Sequence, residues 1–387
     1  MASNVINIRE FVNVSTGVAA AQPLVGRDWS AVLFVMKGTD EQATVLKKYD
    51  NLAAVIEDGS NTEAAKFATV LYGTSYNSAS VTAPIYVATI GMASAEEFTT
   101  NFTKLLDSQD YYYIAIDNTA GDALKKVAAT LVNANQTNAS HVLILDDSNA
   151  NAFNKTLEED LADGSSCSVL AYCASNAFER TMVVMENPNA TNKYYSAAAI
   201  AYYSTRVYAR TNRQMATLAY KPASGIERID TSDAAITVST NDMWHNLDEK
   251  HANMYLDPAE RMDSWQRGNA SNGTDLVDYI AADYLNYTVT ISIYQLLRSI
   301  PVLPMNQDGA NLLANVLDQA YSTLYQSGII GPGVSQDGQT FGGKGYKYNI
   351  PVPTGVQKSN GLWDGITTEA LLIGSTKRVV VINFLNQ

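Results

Sequence analysis

The chain has 387 residues, 46% of them hydrophobic and 17% charged, with a formal net charge of −13. That length allows two domains of ordinary size, the balance describes a folded chain, and no apolar run approaches the about 18 residues a membrane span needs. The acidity argues against nucleic acid or an anionic membrane as the main partner, and it is uneven: residues 1–256 carry a net −10 and residues 257–387 only −3.

The first residues, MASNVINIREF, have neither a basic region nor an apolar one, so no secretory signal is expected. Residues 4–14 (NVINIREFVNV) alternate, with Ile6, Ile8, Val12 and Val14 on one side and Asn7, Arg9 and Asn13 on the other. This predicts a half-buried strand, set apart from the rest by the loop-like run after Val14. From Trp29 strands and helices alternate. Strands are expected at Ala31–Met36, Ala83–Ile90, Tyr111–Ile116, His141–Leu145, Ser168–Ala171 and Met182–Met185. Helices are expected near Thr62–Leu71, Ala95–Leu106, Ala123–Ala134 and Ala152–Leu161. Short apolar strands separated by amphipathic helices predict an α/β body whose sheet is mostly parallel and covered on both faces.

Cys167 and Cys173, six apart in the strand-like run CSVLAYC, would lie about 20 Å apart along a strand. They read as buried free thiols, neither a disulfide nor a zinc pair. Residues 194–208 predict a helix on the sheet, 221–240 a turn-rich segment with one short strand, and Asn241–Met254 another helix. Ser271 or Thr274 then caps a long helix on which Val277, Ile280, Tyr284, Tyr287 and Ile291 recur at helical spacing. Within it, Tyr287–Tyr294 (YTVTISIY) alternates with period two and is β-branched, so pattern alone leaves helix and strand open.

Pro301 and Pro304 break the chain, and Asp308-Gly309 offers a turn and a fresh cap. A second helix, with Leu312, Val316, Ala320 and Leu324 on one face, runs to Gly328. Residues 332–361 are Gly-rich and irregular apart from a strand at Tyr346–Ile350. Ile366–Ile373 is a candidate partner for the last strand, Arg378–Leu385. That strand, with Val379, Val380, Val381, Ile382 and Phe384, is apolar on both faces and must be covered on both.

Chemistry is sparse. His245 and His251, two of three histidines, are six apart and do not share a helix face as a zinc pair would. Gly338–Gly345 (GQTFGGKG) nearly matches a phosphate-binding loop through Gly338, Gly343 and Lys344. However, Gly345 replaces the magnesium-binding hydroxyl and a strand follows, so a flexible loop is expected. Asp146-Asp147-Ser148-Asn149-Ala150 ends a predicted parallel strand, where α/β folds place ligands. It half-resembles the Asp-x-Ser-x-Ser metal motif of von Willebrand A domains, with Ala150 in place of the last Ser. The plain reading is a helix cap; the alternative is a metal-dependent α/β binding module or enzyme built on Asp146. Glu158, Glu159, Asp160 and Asp163 read as a solvated helix end. The 23 tyrosines fit core edges and subunit contacts better than nucleic-acid stacking. No catalytic residue, metal ligand or cofactor is expected.

The run NMYLDPAERMDSWQRGNASNGTDLVDYIAADYLNYTVTISIYQLL, and above all LVDYIAADYL followed by IPVLPMNQDGANLL, resembles contractile tail sheath proteins of tailed phages, in the small sheath-like family of myovirus-type tails. The likeness spans roughly Asn253 to Gly331 and favours helix over Tyr287–Tyr294; Ile300 stands where the family usually has Lys. The resemblance implies a structural subunit, not an enzyme, that polymerises as stacked hexameric rings around a tail tube. It implies contraction that drives the tube through the host envelope, and baseplate and tail terminator proteins as further partners. It places the chain in the virion tail, assembled in the host bacterial cytoplasm, with no nucleic acid or membrane partner. The expected organisation is an N-terminal arm and strand (1–27), an inserted outer α/β domain (28–253), and an α+β inner domain with a C-terminal strand arm (254–387). Ile6, Ile8, Val12 and Val14, and Val379, Val380, Val381, Ile382 and Phe384, would add strands to neighbouring subunits. Arg298, Lys344 and Lys347 are candidates to face the tube. A sheath of a non-phage contractile injection machine fits the same residues.

Overall fold

The computed structural model describes residues 28–38, 44–59, 62–76, 79–108, 110–135, 140–188, 193–205, 217–257, 262–335 and 337–373. Both segments expected as terminal strands, with Ile6, Ile8, Val12 and Val14 and with Val379, Val380, Val381, Ile382 and Phe384, lie outside the described residues.

β1 (Val32–Gly38) shows how the body is built. Its side chains alternate across the sheet, so Val32, Phe34 and Met36 enter one core while Leu33 and Val35 enter the other. β2 (Val45–Tyr49), α1 (Leu52–Asp58), α2 (Thr62–Gly73), β3 (Ile85–Gly91), α3 (Ala95–Leu106), β4 (Tyr113–Ile116), α4 (Asp122–Ala134) and β5 (Val142–Asp147) follow. Then come α5 (Ala150–Asn154), α6 (Leu157–Ala162), α7 (Val169–Ser175), β6 (Thr181–Met185), α8 (Tyr195–Ser204) and α9 (Thr240–Glu249). The strands form one sheet in the order β2-β3-β1-β4-β5-β6. β1 pairs in parallel with both β3 and β4, β5 and β6 continue in parallel, and only β2 is antiparallel. The fold is therefore mixed α/β around a mostly parallel sheet. One face is covered by α3, α4 and α7, the other by α2 and α8.

Both edges of this sheet are finished by the chain itself. β2 carries Lys47 and Lys48 on the outside, and Lys47 donates to Asp58 at 2.8 Å, a charged edge that resists further pairing. Beyond β6, Asn253 bridges to Val184, its amide donates to the Val183 and Asn269 carbonyls, and the Ser271 amide donates to the Thr181 carbonyl at 2.8 Å.

In the rear, α10 (Leu276–Ser299) is an unbroken helix of 24 residues, about 36 Å long. Asp275 caps it, accepting from the Val277 amide, in place of the expected Ser271 or Thr274. Tyr287–Tyr294 is helical despite its period-two pattern. Thr288 and Ser292 donate to the carbonyls of Tyr284 and Thr288, each at 2.8 Å, which hides their polarity inside the turn. Asn306 caps α11 (Gln307–Gln326), accepting from the Asp308 and Gly309 amides. A Cβ on Gly309 would stand 1.7 Å from the Pro304 carbonyl oxygen, so the elbow closes only on glycine. The buried face of α11 carries Leu313, Leu317, Ala320 and Leu324; Leu312 is exposed and Val316 half-buried, a register one residue from the expected one.

β7 (Tyr346–Asn349), α12 (Gly355–Ser359) and β8 (Thr367–Ala370) complete the described chain, with β7 and β8 forming an antiparallel pair. Two further expectations fail. Ser168–Ala171 is the start of helix α7, capped by the Ser168 side chain on the Ala171 amide, not a strand. Residues 221–240 form turns without a strand.

Candidate functional site

The carboxyl ends of the parallel strands are where this architecture receives ligands, and here they are occupied by the chain. Asp146 accepts from the Ser196 amide at 2.6 Å and from the Ser196 hydroxyl, which ties β5 to the first turn of α8. Asp147 accepts from the Asn149 and Leu170 amides, each at 2.8 Å, at the starts of α5 and α7. Burial pushes the Asp146 carboxyl up to about 7, against Lys125 and Ser196, and that of Asp147 up to about 6, against its two amide donors. Both side chains thus serve as buried helix caps. Beside β1, Tyr194 packs edge-on against Phe34 and Phe67 and donates to Glu63 at 2.5 Å, filling the point where the strand order reverses.

A polar network continues from Asp146. Lys125 donates to the Asp146 carbonyl at 2.6 Å and to Asn118 Oδ1 at 2.9 Å. Asn118 Nδ2 donates to Glu186 Oε1 and to the Lys193 carbonyl, both at 2.7 Å. Burial, then the Asp146 charge, push the Glu186 carboxyl up to about 9. Among the described residues, no group of three His, Cys, Asp or Glu side chains is placed to hold a metal ion.

Other sequence candidates resolve into structure. Asp160 is not part of a solvated helix end: it is buried, accepting from the Ser168 amide and hydroxyl and from Lys250 Nζ at 2.9 Å. Cys167 and Cys173 are buried and free, but on the 3-10 turn and helix of 164–175 rather than a strand. His141 is buried with Nε2 3.0 Å from the Leu106 carbonyl. The glycine-rich run holds a two-residue strand, Thr340–Phe341, paired with Gly333–Val334, and then a tight turn before β7: Gly345 has φ +82 and lies against the backbone of Gly331, while Lys344 donates to Ser322 at 3.0 Å. A cleft of about 690 Å3 lies between Arg228, Asp230, Trp244 and Asp257, and Arg228 is already paired with Asp257 and Asp263.

The seam between the body and α10 carries a buried ion pair. Arg180, just before β6, meets Asp283 of α10 through both terminal guanidinium nitrogens, and Tyr112 donates to the same carboxylate at 2.7 Å. These partners are 103 and 171 residues apart in the chain, which is why local sequence pattern does not reveal them.

The rear surface is different. Nine of the thirteen exposed large hydrophobic residues among those described fall between Leu297 and Ile373, including Val302 at 74% and Val356 at 71% exposure. Exposed apolar side chains are thus concentrated in residues 297–373. Among the described residues β7 and β8 form a two-stranded sheet, backed by Tyr321 stacked on Tyr346 at 4.7 Å and by Asp318 accepting from Tyr346 and Tyr348. Lys347 lies on β7, paired with Glu369 and over the Phe341 ring. Arg298 lies on the exposed last turn of α10.

No family model and no curated protein matches the chain. Solved structures do. The helical sheath of the anti-feeding prophage in its contracted state aligns over 97% of this chain and 98% of its own, with a TM-score of 0.59 and 13% identity. The sheath of PVC, an extracellular contractile injection system, also contracted, aligns over 97% of both chains with a TM-score of 0.57 and 10% identity. The likeness is one of fold and runs along the whole chain, which has the fold of a contractile sheath subunit. No helix among the described residues is long and apolar enough to cross a membrane.

Proposed function

We propose that this chain is the structural subunit of a contractile sheath, polymerising as stacked hexameric rings around an inner tube and shortening to drive that tube through a host envelope. The observation that carries the reading is the fold likeness to two contracted sheaths over 97% of the chain. The crowding of exposed apolar residues in the rear supports it. The division of labour proposed is an outer α/β domain over 28–253 and an inner domain formed by 254–387 with the 1–27 arm. The tube, baseplate and terminator proteins are the partners proposed with it, and the role is mechanical rather than enzymatic.

The two-stranded β7–β8 sheet gives this a physical form. A sheet of two strands is marginal alone, and strand addition from a neighbour completes it through main-chain hydrogen bonds. The arms proposed to do so are Ile6 to Val14 and Val379 to Phe384. Arg298, Lys344 and Lys347 remain proposed tube contacts. Two machines fit: a phage tail, with the sheath assembled in the host cytoplasm, and an injection system of the kind the two similar structures belong to. The second is favoured by the likeness to the PVC sheath, which belongs to an extracellular contractile injection system.

The test is electron microscopy of the purified full-length chain beside truncations lacking residues 1–14 or 376–387. Tubes or rings from the full chain, and folded but unpolymerised subunits from both truncations, are the expected result. Truncations that unfold the monomer would place the terminal strands in its own core and overturn the arm exchange. Failure to polymerise even with a co-expressed tube protein would overturn the sheath reading.

A further inference from the structure

Lys125 on α4, Asn118 just after β4 and Glu186 just after β6 meet at one carboxamide. Lys125 Nζ lies 2.9 Å from Asn118 Oδ1, so it stands no more than about 4 Å from Cγ once a carbonyl bond length is added. Glu186 holds the opposite end of the same group, its Oε1 2.7 Å from Nδ2. The Asp146 carbonyl aims the amine and the Lys193 carbonyl fixes the amide nitrogen. Lys125 is 5% and Glu186 2% exposed, whereas Asn118 is half-buried. Amine and acid are thereby shielded from water, while the leaving group has a way out.

We propose that Lys125 and Asn118 condense into an intramolecular isopeptide bond, with Glu186 as the proton-transferring catalytic residue. In the reacting state the amine is neutral and the carboxyl protonated. Nζ attacks Cγ, Glu186 takes a proton from the attacking nitrogen and gives one to Nδ2, and the Cγ–Nδ2 bond breaks. Ammonia leaves, the Nζ–Cγ amide remains, and Glu186 ends as it began. Counted from the lysine ammonium, one carboxamide and one ammonium become one secondary amide and one ammonium ion, so no oxidant or co-reactant enters. Two features favour the step. Burial keeps Glu186 in its acid form at neutral pH, and three fixed groups replace a bimolecular encounter.

The test is the mass of the purified full-length chain followed over days at neutral pH, with a tryptic map. The expected product is lighter by one ammonia and one charge more negative. It resists trypsin after Lys125 and yields a Leu105–Lys126 peptide with no backbone fragments between Asn118 and Lys125. Glu186→Gln is expected to slow the loss about 100-fold or more, and Lys125→Arg to abolish it. Three outcomes overturn the proposal: full mass retained with complete cleavage after Lys125, ammonia lost while Lys125 stays cleavable (a succinimide at Asn118), or a gain in mass from deamidation. An unchanged rate in a folded Glu186→Gln variant overturns the role of Glu186. Should that variant not fold, the wild-type mass and map decide alone.

Discussion

The large sheet and the β7–β8 pair end in opposite ways. The large sheet stops on its own chain, with charged Lys47 and Lys48 on β2 at one edge and Asn253 and Ser271 bonded to β6 at the other. Within the body, buried polar groups find partners across elements, Lys250 with Asp160 and Asp146 with Ser196. Among the described residues the β7–β8 pair has two strands, in the part of the chain that exposes Val302, Val334, Val352, Val356 and Leu362. A chain that closes one sheet with its own residues stabilises its subunit there, while a pair of two described strands is the region the proposed sheath reading assigns to partners. That contrast is what a proposed sheath subunit needs: a body that stays rigid while its contacts rearrange.

The largest effect should come from breaking the seam that binds the two regions. Arg180→Met leaves the Asp283 carboxylate buried with Tyr112 alone. A buried charge stripped of its partner costs about 3–5 kcal/mol, to be read as a fall in the urea midpoint of the monomer. Arg180→Met with Asp283→Leu should recover most of that loss, because no charge is then left unpaired. A single variant as stable as the wild type would mean that the two regions are held by apolar packing.

A smaller effect separates the regions by pH. Burial raises Asp146 to about 7 and Asp147 to about 6 from 3.8, so the folded body binds protons that the unfolded chain releases. Their contribution is fully present below about pH 4 and is lost as pH rises toward 6 and 7. The exposed Asp337 in the rear is shifted the other way by its Ser335 hydrogen bond, so its contribution is present at neutral pH and lost in acid. Asp147→Asn should flatten the fall in stability between pH 4 and 6, by at most about 1.4 kcal/mol per pH unit. Denaturation midpoints across that range measure it, and an unchanged slope would mean Asp147 does not carry the effect.

Much of the body was legible because its parallel strands are short apolar runs such as Val142–Leu145, buried on both faces. β2 was not, since VLKKY is an edge strand whose lysines break the alternation. Ser168–Ala171 misled because a short apolar run reads equally as strand or buried helix; its signal was Ser168, a helix cap. Asp160 looked solvated because Thr156 and Glu159 form a surface capping box around it, while its partner Lys250 lies 90 residues away. The network of Lys125, Asn118 and Glu186 was hidden for the same reason. Glu186 is 68 residues from Asn118, and only the parallel order of β4, β5 and β6 brings them together. Local pattern shows which faces are apolar; it does not show which charges meet.

The smallest effect on the subunit should be the most informative about its surface. Val302→Asn and Val356→Asn alter side chains that are 74% and 71% exposed, so each should change monomer stability by no more than about 0.5 kcal/mol. Ile56→Asn, at 54% exposure on α1 of the body, is the matched control. If the rear is the assembly surface, the two rear variants shorten or abolish polymers in electron micrographs while Ile56→Asn leaves them at wild-type length, with all three melting together as monomers. Equal loss of polymer from the body variant would place contacts on both regions and remove the distinction between a closed body and an open rear. Equal retention by all three would instead confine assembly to the backbone edges of β7 and β8, where side-chain polarity matters little.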